Sequence, residues 1–341
     1  MHNTRSPKLE IAFLLTLCLS LAACGSGPAR YTPGPPATLV YMVDSAGDVV
    51  GYSTGPGNNG LPVTTLTLPP PCGAGIVASD SAGRLYVYGC GASEARVYVY
   101  PPNPNGATTP LREIEIDSSE VSALAADPAG AVYAIINNGA GAPSTVLVYS
   151  ATANGAATAL RTLQLADFEA WGIAADPDGT IYVAGAPSGS SAGAIAVYSP
   201  TANGVSIPAR TITFGNFANV YGVAVDPAGD IFASACPSEC TGTTYAVEEF
   251  APGASGQATP INVVTILDVP VASPTRGLGG GPVYVDGGGN VFTSLNLISV
   301  PTNNITYVIE GFGPTATGNA APTVEISGTA GQVYGPGFAI N

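Results

Sequence analysis

Short apolar runs alternate with polar turns along most of this chain, and one stretch shows the pattern most clearly. It is WGIAADPDGTIYVAG, residues 171–185, in which two apolar runs flank the turn DPDG at 176–179. Asp at the first turn position accepts a backbone hydrogen bond, Pro at the second sets φ at about −65°, and Gly ends the turn. The flanking Ile, Val, Tyr and Ala suit a sheet buried on both faces. The pattern therefore predicts a β-hairpin.

The hairpin recurs with steps of 47, 49, 50 and 60 residues between its turn aspartates. These are Asp80, Asp127, Asp176, Asp226 and Asp286. A third strand then ends in an aromatic residue: Tyr100, Tyr149, Tyr198, Phe250 or Phe312. A turn rich in Pro, Asn and Gly follows, and then a fourth strand such as LREIEI or LRTLQL. Four strands at this period predict one blade of a β-propeller.

The two ends of the sequence complete the count of blades. TLVYMVD, DVVGYS and VTTLTL match the second, third and fourth strands of a blade, and YGPGFAIN at 334–341 matches the missing first strand. We predict an all-β, six-bladed β-propeller with four antiparallel strands per blade, its ring closed by the C-terminal strand joining the N-terminal blade. The predicted blades are 39–69 plus 334–341, 74–117, 120–167, 169–216, 218–270 and 279–328.

The first residues have the pattern of an export signal and not of a folded element. Arg5 and Lys8 precede the short apolar run 11–21, which leads into Leu-Ala-Ala-Cys-Gly at 21–25. This ending resembles the lipobox of bacterial lipoproteins, which implies a signal peptide over 1–23 and lipidation of Cys24. Residues 24–37 are rich in Gly and Pro and are predicted to form a tether to the propeller at 38–341. The predicted location is the bacterial cell envelope, at the outer membrane in a Gram-negative cell because Gly25 is not Asp.

Charge and composition exclude several functions. Removing residues 1–23 leaves 22 acidic residues, seven arginines, no lysine and no histidine, a net charge of −15. Such a chain is a poor nucleic-acid binder, since phosphates require cations. A Ser-His-Asp triad and Schiff-base chemistry are excluded as well. The glycine runs 277–281 and 287–289 fit no phosphate loop and are predicted to be tight turns.

Four cysteines remain beyond the lipidation site, an even number in an oxidising compartment: Cys72, Cys90, Cys236 and Cys240. The first two flank the hairpin around 80–83 symmetrically, so they are predicted to face each other. The last two are predicted to close a short loop. Disulfides are favoured over a metal site because no histidine completes a zinc set.

The hairpins WGIAADPDGTIYVAG and YGVAVDPAGDIFASA resemble the NHL repeat and, more loosely, the six-bladed propellers of the gluconolactonase and regucalcin group. The resemblance covers the first half of each blade. It departs after the second strand, where NHL repeats commonly carry an acidic residue or Asn and this chain has Gly185 or Ala235. What the resemblance implies is architecture, because NHL propellers include protein binders, RNA binders and enzymes.

The candidate binding site lies at the entrance to the innermost strands, where blades stop resembling one another. Seven residues before the turn aspartate stand Glu120, Glu169 and Asn219 in three consecutive blades. Asp167 and Asn216 lie just upstream, and Trp171 and Tyr221 follow two residues later, where they either stack on a ligand or pack. We predict that these seven residues line the mouth of the central channel.

A metal is the alternative occupant of this mouth. Converging oxygen ligands suit Ca²⁺ or another divalent cation, with Glu120, Glu169 and Asn219 as the candidate ligands. The gluconolactonase-like enzymes hold a divalent metal with Glu, Asn and Asp from this region, and the similarity here is one of residue type. The turn aspartates are instead interpreted as structural, since they recur wherever the fold recurs. The third-strand aromatics are interpreted as packing for the same reason.

The sequence favours a non-catalytic binding or interaction propeller at the envelope, with an unknown protein or small molecule as its ligand and no catalytic residues. The alternative is a divalent-metal-dependent hydrolase of the lactonase type. A purely structural surface protein is the second alternative. The ligand itself is not encoded in any motif of this sequence.

Mass spectrometry of the protein from the membrane fraction tests the predicted anchor. We expect a chain that begins at Cys24 and carries lipid, because the lipobox directs both cleavage and modification. An intact, unmodified N-terminus on membrane-fraction protein would contradict this prediction.

Overall fold

The repeated hairpins and the strands that follow them form as the alternating pattern predicts. The computed structural model describes residues 39–55, 60–70, 73–89, 95–116, 118, 120–139, 141–190, 192–214, 217–237, 244–267, 275–299, 305–327 and 337–341. The predicted signal peptide and tether, Asn216, and three of the four cysteines predicted to form disulfides (Cys72, Cys90 and Cys240) lie outside these ranges. Within them, every regular element is a strand, and no helix is long and apolar enough to cross a membrane.

The strands fall into six sheets, numbered here in chain order. The first eleven are β1 (Leu39–Val43), β2 (Val49–Ser53), β3 (Thr64–Leu66), β4 (Ala74–Ser79), β5 (Leu85–Gly89), β6 (Arg96–Tyr100), β7 (Arg112–Glu115), β8 (Val121–Ala126), β9 (Val132–Ile136), β10 (Thr145–Tyr149) and β11 (Arg161–Leu165). The others are β12 (Phe168–Ala175), β13 (Ile181–Pro187), β14 (Ala194–Tyr198), β15 (Gly204–Ser206), β16 (Arg210–Thr213), β17 (Phe217–Val225), β18 (Ile231–Pro237), β19 (Thr244–Phe250), β20 (Asn262–Leu267), β21 (Thr275–Val285), β22 (Val291–Ser299), β23 (Ile305–Phe312), β24 (Val324–Ser327) and β25 (Phe338–Ile340).

Each sheet is one blade, and the six blades form a ring. From the inside outwards they are β25-β1-β2-β3, β4-β5-β6-β7, β8-β9-β10-β11, β12-β13-β14-β16, β17-β18-β19-β20 and β21-β22-β23-β24. The innermost strands contact one another in sequence around the ring, from β4 through β8, β12, β17 and β21 to β25 and back to β4. The prediction of an all-β, six-bladed propeller is confirmed. One addition is β15, which pairs parallel with β11 as a fifth strand of the third blade.

The ring closes through the pairing predicted from the sequence ends. β25 lies antiparallel to β1, with Val40 opposite Ile340 and Met42 opposite Phe338. The backbone N–H of Asn341 adds a 3.0 Å hydrogen bond to the carbonyl of Leu39. The C-terminal strand therefore supplies the inner edge of the N-terminal blade.

The recurrent turn aspartates are used by their own turns. In the third blade the backbone N–H groups of Gly130 and Ala131 donate to Oδ1 of Asp127 at 2.8 and 2.9 Å. The hydroxyl of Tyr133 donates to Oδ2 at 3.0 Å. The second and fourth blades repeat the tyrosine contact, and the glycine that ends each turn has a positive φ. These bonds support the structural interpretation of the repeated Asp.

Neighbouring blades are joined by backbone hydrogen bonds at the turn between the third and fourth strands. A glycine of this turn pairs in parallel with the outermost strand of the preceding blade: Leu66 with Gly106, Ile114 with Gly155, Leu163 with Gly204, Ile212 with Gly256 and Val264 with Gly318. All five glycines have φ between 58° and 68°, a range that favours glycine. At three junctions the preceding Asn also accepts a backbone N–H from the neighbouring strand. The repeated Asn-Gly is thus an inter-blade contact as well as a turn.

The arginines that begin the fourth strands strengthen the same junctions. The guanidinium of Arg112 donates to the carbonyls of Ala153 in the next blade (2.9 Å) and Gly130 (2.7 Å). Arg161 and Arg210 reach the equivalent carbonyls of the blades that follow them. In the fifth blade Asn262 replaces the arginine and donates to Ala316 with its amide at 3.0 Å.

The core lies between the blades. One cluster joins the apolar faces of the third and fourth blades, and equivalent clusters fill the other interfaces. The aromatic residues that end the third strands are at most 3% exposed, which confirms that they pack. Side chains between sheets and hydrogen bonds at the outer turns therefore hold each blade to the next.

Replacing Arg112 with Ala should lower the free energy of unfolding by ~2 kcal/mol, because buried carbonyls lose charged donors. Urea denaturation measures the difference. Arg96→Ala is the matched control, since Arg96 pairs at 3.2 Å with a partly exposed Glu113 on the surface and should cost less than ~1 kcal/mol. Equal losses in the two variants would contradict a special role for Arg112.

Candidate functional site

A cavity of about 840 Å³ lies on the axis of the ring. Residues from the innermost strands of all six blades line it. Residues from several of the turns that connect the first strand of a blade to the second also line it. Six lining residues, one from each blade, immediately precede the turn aspartate or, in the first blade, the equivalent Asn341. They are Ser79, Ala126, Ala175, Val225, Val285 and Ile340. The exposed Pro128, Pro177 and Pro227 also line the cavity, so it reaches the surface at the turn end of the strands.

A β-bulge interrupts five of the six innermost strands, namely β4, β8, β12, β17 and β21. The register shifts between Ala74 and Ile76, Val121 and Ala123, Ala170 and Gly172, Val220 and Gly222, and Gly280 and Val283. The residues that fall inside these shifts are Gly75, Ser122, Trp171, Tyr221, and Gly281 with Pro282. A bulge leaves its extra residue unpaired and can redirect its side chain. All of these residues except Gly75 line the cavity.

Trp171 and Tyr221 form an aromatic pair at the bulged level of the cavity. Their ring centroids are 5.9 Å apart and the planes are tilted by 32°. Gly172 follows the Trp, and a Cβ there would stand 2.6 Å from the carbonyl oxygen of Tyr221. Glycine at that position therefore lets β12 and β17 approach closely. Both aromatic residues are half-buried, and each keeps surface toward the cavity.

Small apolar side chains make up most of the lining, and charge is scarce. Among the described residues that line the cavity there is no Arg, Lys or His. Three lining carboxylates belong to turn aspartates: Asp80, Asp226 and Asp286. Oδ1 of each accepts two backbone N–H groups of its own turn. Burial raises the pKa of Asp226, and the turn hydrogen bonds oppose that shift.

Ser122 occupies the bulge of the third blade, in β8. Its hydroxyl oxygen is buried and has no hydrogen-bond partner among the described residues. Ser79, by contrast, donates its hydroxyl to the carbonyl of Ile340 across the ring closure. The polar groups that line the cavity therefore include the turn aspartates and the serines Ser79, Ser81 and Ser122.

The seven residues predicted to line a mouth fall into two groups. Trp171 and Tyr221 line the cavity. Glu120 and Asp167 are exposed, and Glu169 and Asn219 are half-buried in β12 and β17, two residues before the aromatic pair. None of these four is among the residues that line the cavity, and Asn216 lies outside the described residues.

The metal prediction gains no cluster from the described residues. They contain no group of three or more His, Cys, Asp or Glu side chains placed to hold a metal ion. Glu120 stands just before β8, and its backbone N–H donates to the hydroxyl of Ser118 at 3.1 Å. Cys236 is fully buried in β18, while the other cysteines are outside the described ranges, so the disulfide pairings stay predictions.

The sequence prediction missed Ser122 and the ring of residues before the turn aspartates. A signal for them was present, because the position five residues before each turn aspartate holds Gly75, Ser122, Trp171, Tyr221 and Gly281. This position varies widely in size while its neighbours stay small or apolar. Such variation within a repeated strand indicates that the position faces a shared space and not the repeated core.

Two buried glutamates lie on third strands. Glu310 of β23 is 3% exposed and stands opposite Thr293 and Glu325. Burial, with a smaller contribution from the charge of Glu325, raises the pKa of Glu310 to about 7. Glu248 of β19 is also buried, and burial raises its pKa. Neither residue is part of the cavity wall.

Comparisons with known proteins support the fold. No protein-family model matches the chain, and no curated protein matches its sequence. The structure is similar to a protein of unknown function from Bacteroides caccae, with a TM-score of 0.55 and 10% identity over 90% of this chain and 99% of that one. It is also similar to a protein from Lactobacillus plantarum, with a TM-score of 0.55 and 12% identity over 90% of this chain and 100% of that one. Similarity at these identities shows the propeller fold alone.

Replacing Glu310 with Gln should stabilise the protein at pH 8 by ~1–3 kcal/mol. The native state holds this proton up to about pH 7, while the unfolded state releases it near the ordinary value of 4.5. The contribution of the Glu310 carboxyl group to the free energy of unfolding is therefore most favourable below pH 4.5 and is lost as the pH rises to 7. Urea unfolding from pH 4 to 8 measures the slope. Glu325→Gln should change the slope less, and an unaltered slope in Glu310→Gln would refute the assignment.

Proposed function

We propose that this protein is a non-catalytic binding propeller of the bacterial cell envelope, and that its ligand occupies the central cavity. The observation that carries the proposal is the aromatic pair Trp171–Tyr221, set by two β-bulges into the wall of an 840 Å³ space. Ligand pockets typically measure about 300–1,000 Å³ and are lined mainly by apolar and aromatic side chains. The cavity has both properties.

The binding proposal fits the chemistry of the lining better than a catalytic one. The carboxylates within the wall are engaged by their turns, and Oδ2 of Asp80 is also paired with Arg84 at 2.6 Å. Acid–base catalysis needs a proton donor or acceptor within reach of the substrate. The wall of the cavity provides contact surface for a bound ligand.

The proposed location at the cell envelope rests on the predicted signal peptide and on the charge of the chain. Lipidation at Cys24 would make residues 24–37, which are rich in Gly and Pro, the tether between the membrane and the propeller. Disulfides between Cys72 and Cys90 and between Cys236 and Cys240 would fit the same oxidising compartment. The NHL-like hairpins fit any of several propeller functions and favour none of them.

The alternative is a divalent-metal-dependent, lactonase-like hydrolase that uses Glu120, Glu169 and Asn219. One observation favours it, namely that Glu169 and Asn219 stand at equivalent positions on the contacting strands β12 and β17. Such a site would lie beyond the aromatic pair and outside the cavity wall. A structural surface protein without a ligand is the remaining possibility.

A thermal-shift screen of small molecules on residues 25–341, which keep every strand of the ring, tests the proposal. A ligand at 100 times its Kd should add about 2.7 kcal/mol of stability. Its effect should vanish in Ala175→Phe, which fills the cavity, and persist in Ala228→Phe, which adds the same ring at an exposed turn residue outside the cavity wall.

The alternatives give different results in the same samples. Calorimetric Ca²⁺ binding that Glu120→Gln and Glu169→Gln abolish, with lactone hydrolysis lost in parallel, would favour the hydrolase. A protein that binds neither small molecules nor Ca²⁺ would fit the structural role and refute the proposal.

A further inference from the structure

We infer that the ligand of the central cavity is an uncharged, mainly apolar molecule with a planar ring, and that it enters from the turn end of the inner strands. This inference rests on the proposed function, because it assigns a chemical class to the same cavity. The observations that carry it concern the charge, the aromatic pair and the opening of the cavity.

Charge excludes anionic ligands. The chain without its leader has a net charge of −15, and the described part of the cavity wall has no cationic side chain to offset it. An anion that entered this apolar space would lose its hydration without gaining a partner. Cations would compete with bonds that already engage the carboxylates, because Oδ1 of Asp80, Asp226 and Asp286 accepts backbone N–H groups. Oδ2 of Asp80 also accepts from Arg84, and Oδ2 of Asp286 accepts from Asn290.

The aromatic pair selects a planar ring. Trp171 and Tyr221 are half-buried, and their tilt of 32° leaves them splayed and not in parallel contact. Aromatic rings prefer offset or edge-to-face neighbours at centroid distances of about 4.5–7 Å. A planar ligand ring placed against the pair extends this packing into the cavity.

The exposed residues of the cavity wall indicate the route by which a ligand enters. Pro128, Pro177 and Pro227 are exposed and line the cavity at the turn end. Just inside them stands the ring of residues that precedes the turn aspartates, which is largely Ala and Val. A ligand that enters here passes apolar side chains before it reaches the bulged level.

Two fluorescent probes test the class on residues 25–341. Nile red is neutral, planar and carries a carbonyl, whereas 1-anilinonaphthalene-8-sulfonate is aromatic and anionic. Trp171 is the single tryptophan of the chain, so its emission reports on the cavity alone. We expect Nile red to quench Trp171 and to bind at least tenfold more tightly than the sulfonate.

The variants separate the possible results. Ala175→Phe should abolish quenching by Nile red and Ala228→Phe should retain it, with matched unfolding midpoints as evidence that both are folded. Equal binding of the two probes would overturn the ligand class and leave the binding function standing. Nile red binding that spares Trp171 emission and survives Ala175→Phe would overturn the location. If neither probe binds and the small-molecule screen is also negative, the proposed function fails with the inference.

Discussion

The pairing of one blade with the next through the glycine in the turn between its third and fourth strands is the contact on which the ring depends. A single blade is a small sheet with two apolar faces, and it is stable only when both faces are covered. The apolar clusters between sheets supply most of the burial, but they do not fix how neighbouring sheets align. The parallel bridge at Gly155 and its equivalents fixes that alignment, and Arg112 and its equivalents hold the carbonyls on the far side of the junction. The innermost strands then contact one another in sequence around the axis.

The ring of innermost strands encloses the cavity, and the bulges decide which side chains line it. Where the extra residue is Gly75 it does not line the space, and where it is Trp171 or Tyr221 a ring does. Gly172 and Gly222 then remove the side chains that would hold the strands apart. The same backbone irregularity, repeated with different side chains, makes the axis of a regular repeat chemically asymmetric.

The repeat made most of the fold predictable from sequence, since the spacing of Asp127, Asp176 and Asp226 set the blade length and the turn chemistry set the hairpins. The closing strand was predictable because its pattern matched the strand missing from the first blade. The bulges were not, because a register shift is a property of two paired strands and leaves no local motif. Of the residues predicted to line the channel mouth, Trp171 and Tyr221 line the cavity, whereas Glu120 and Glu169 do not. The inter-blade role of Asn-Gly was missed because a turn residue's partner lies about 40 residues away.

The closure between β25 and β1 has a consequence for how the molecule comes apart. In an open array of repeats, the terminal unit has one free face and unravels first, and the others follow one at a time. Here Val40 and Ile340 are neighbours, so every blade is an interior one. Loss of any single blade requires two interfaces to break together, and the closing contact spans nearly the whole chain, which makes its formation slow. Resistance to proteases should therefore reflect a high barrier to the first opening event more than the equilibrium stability of any blade.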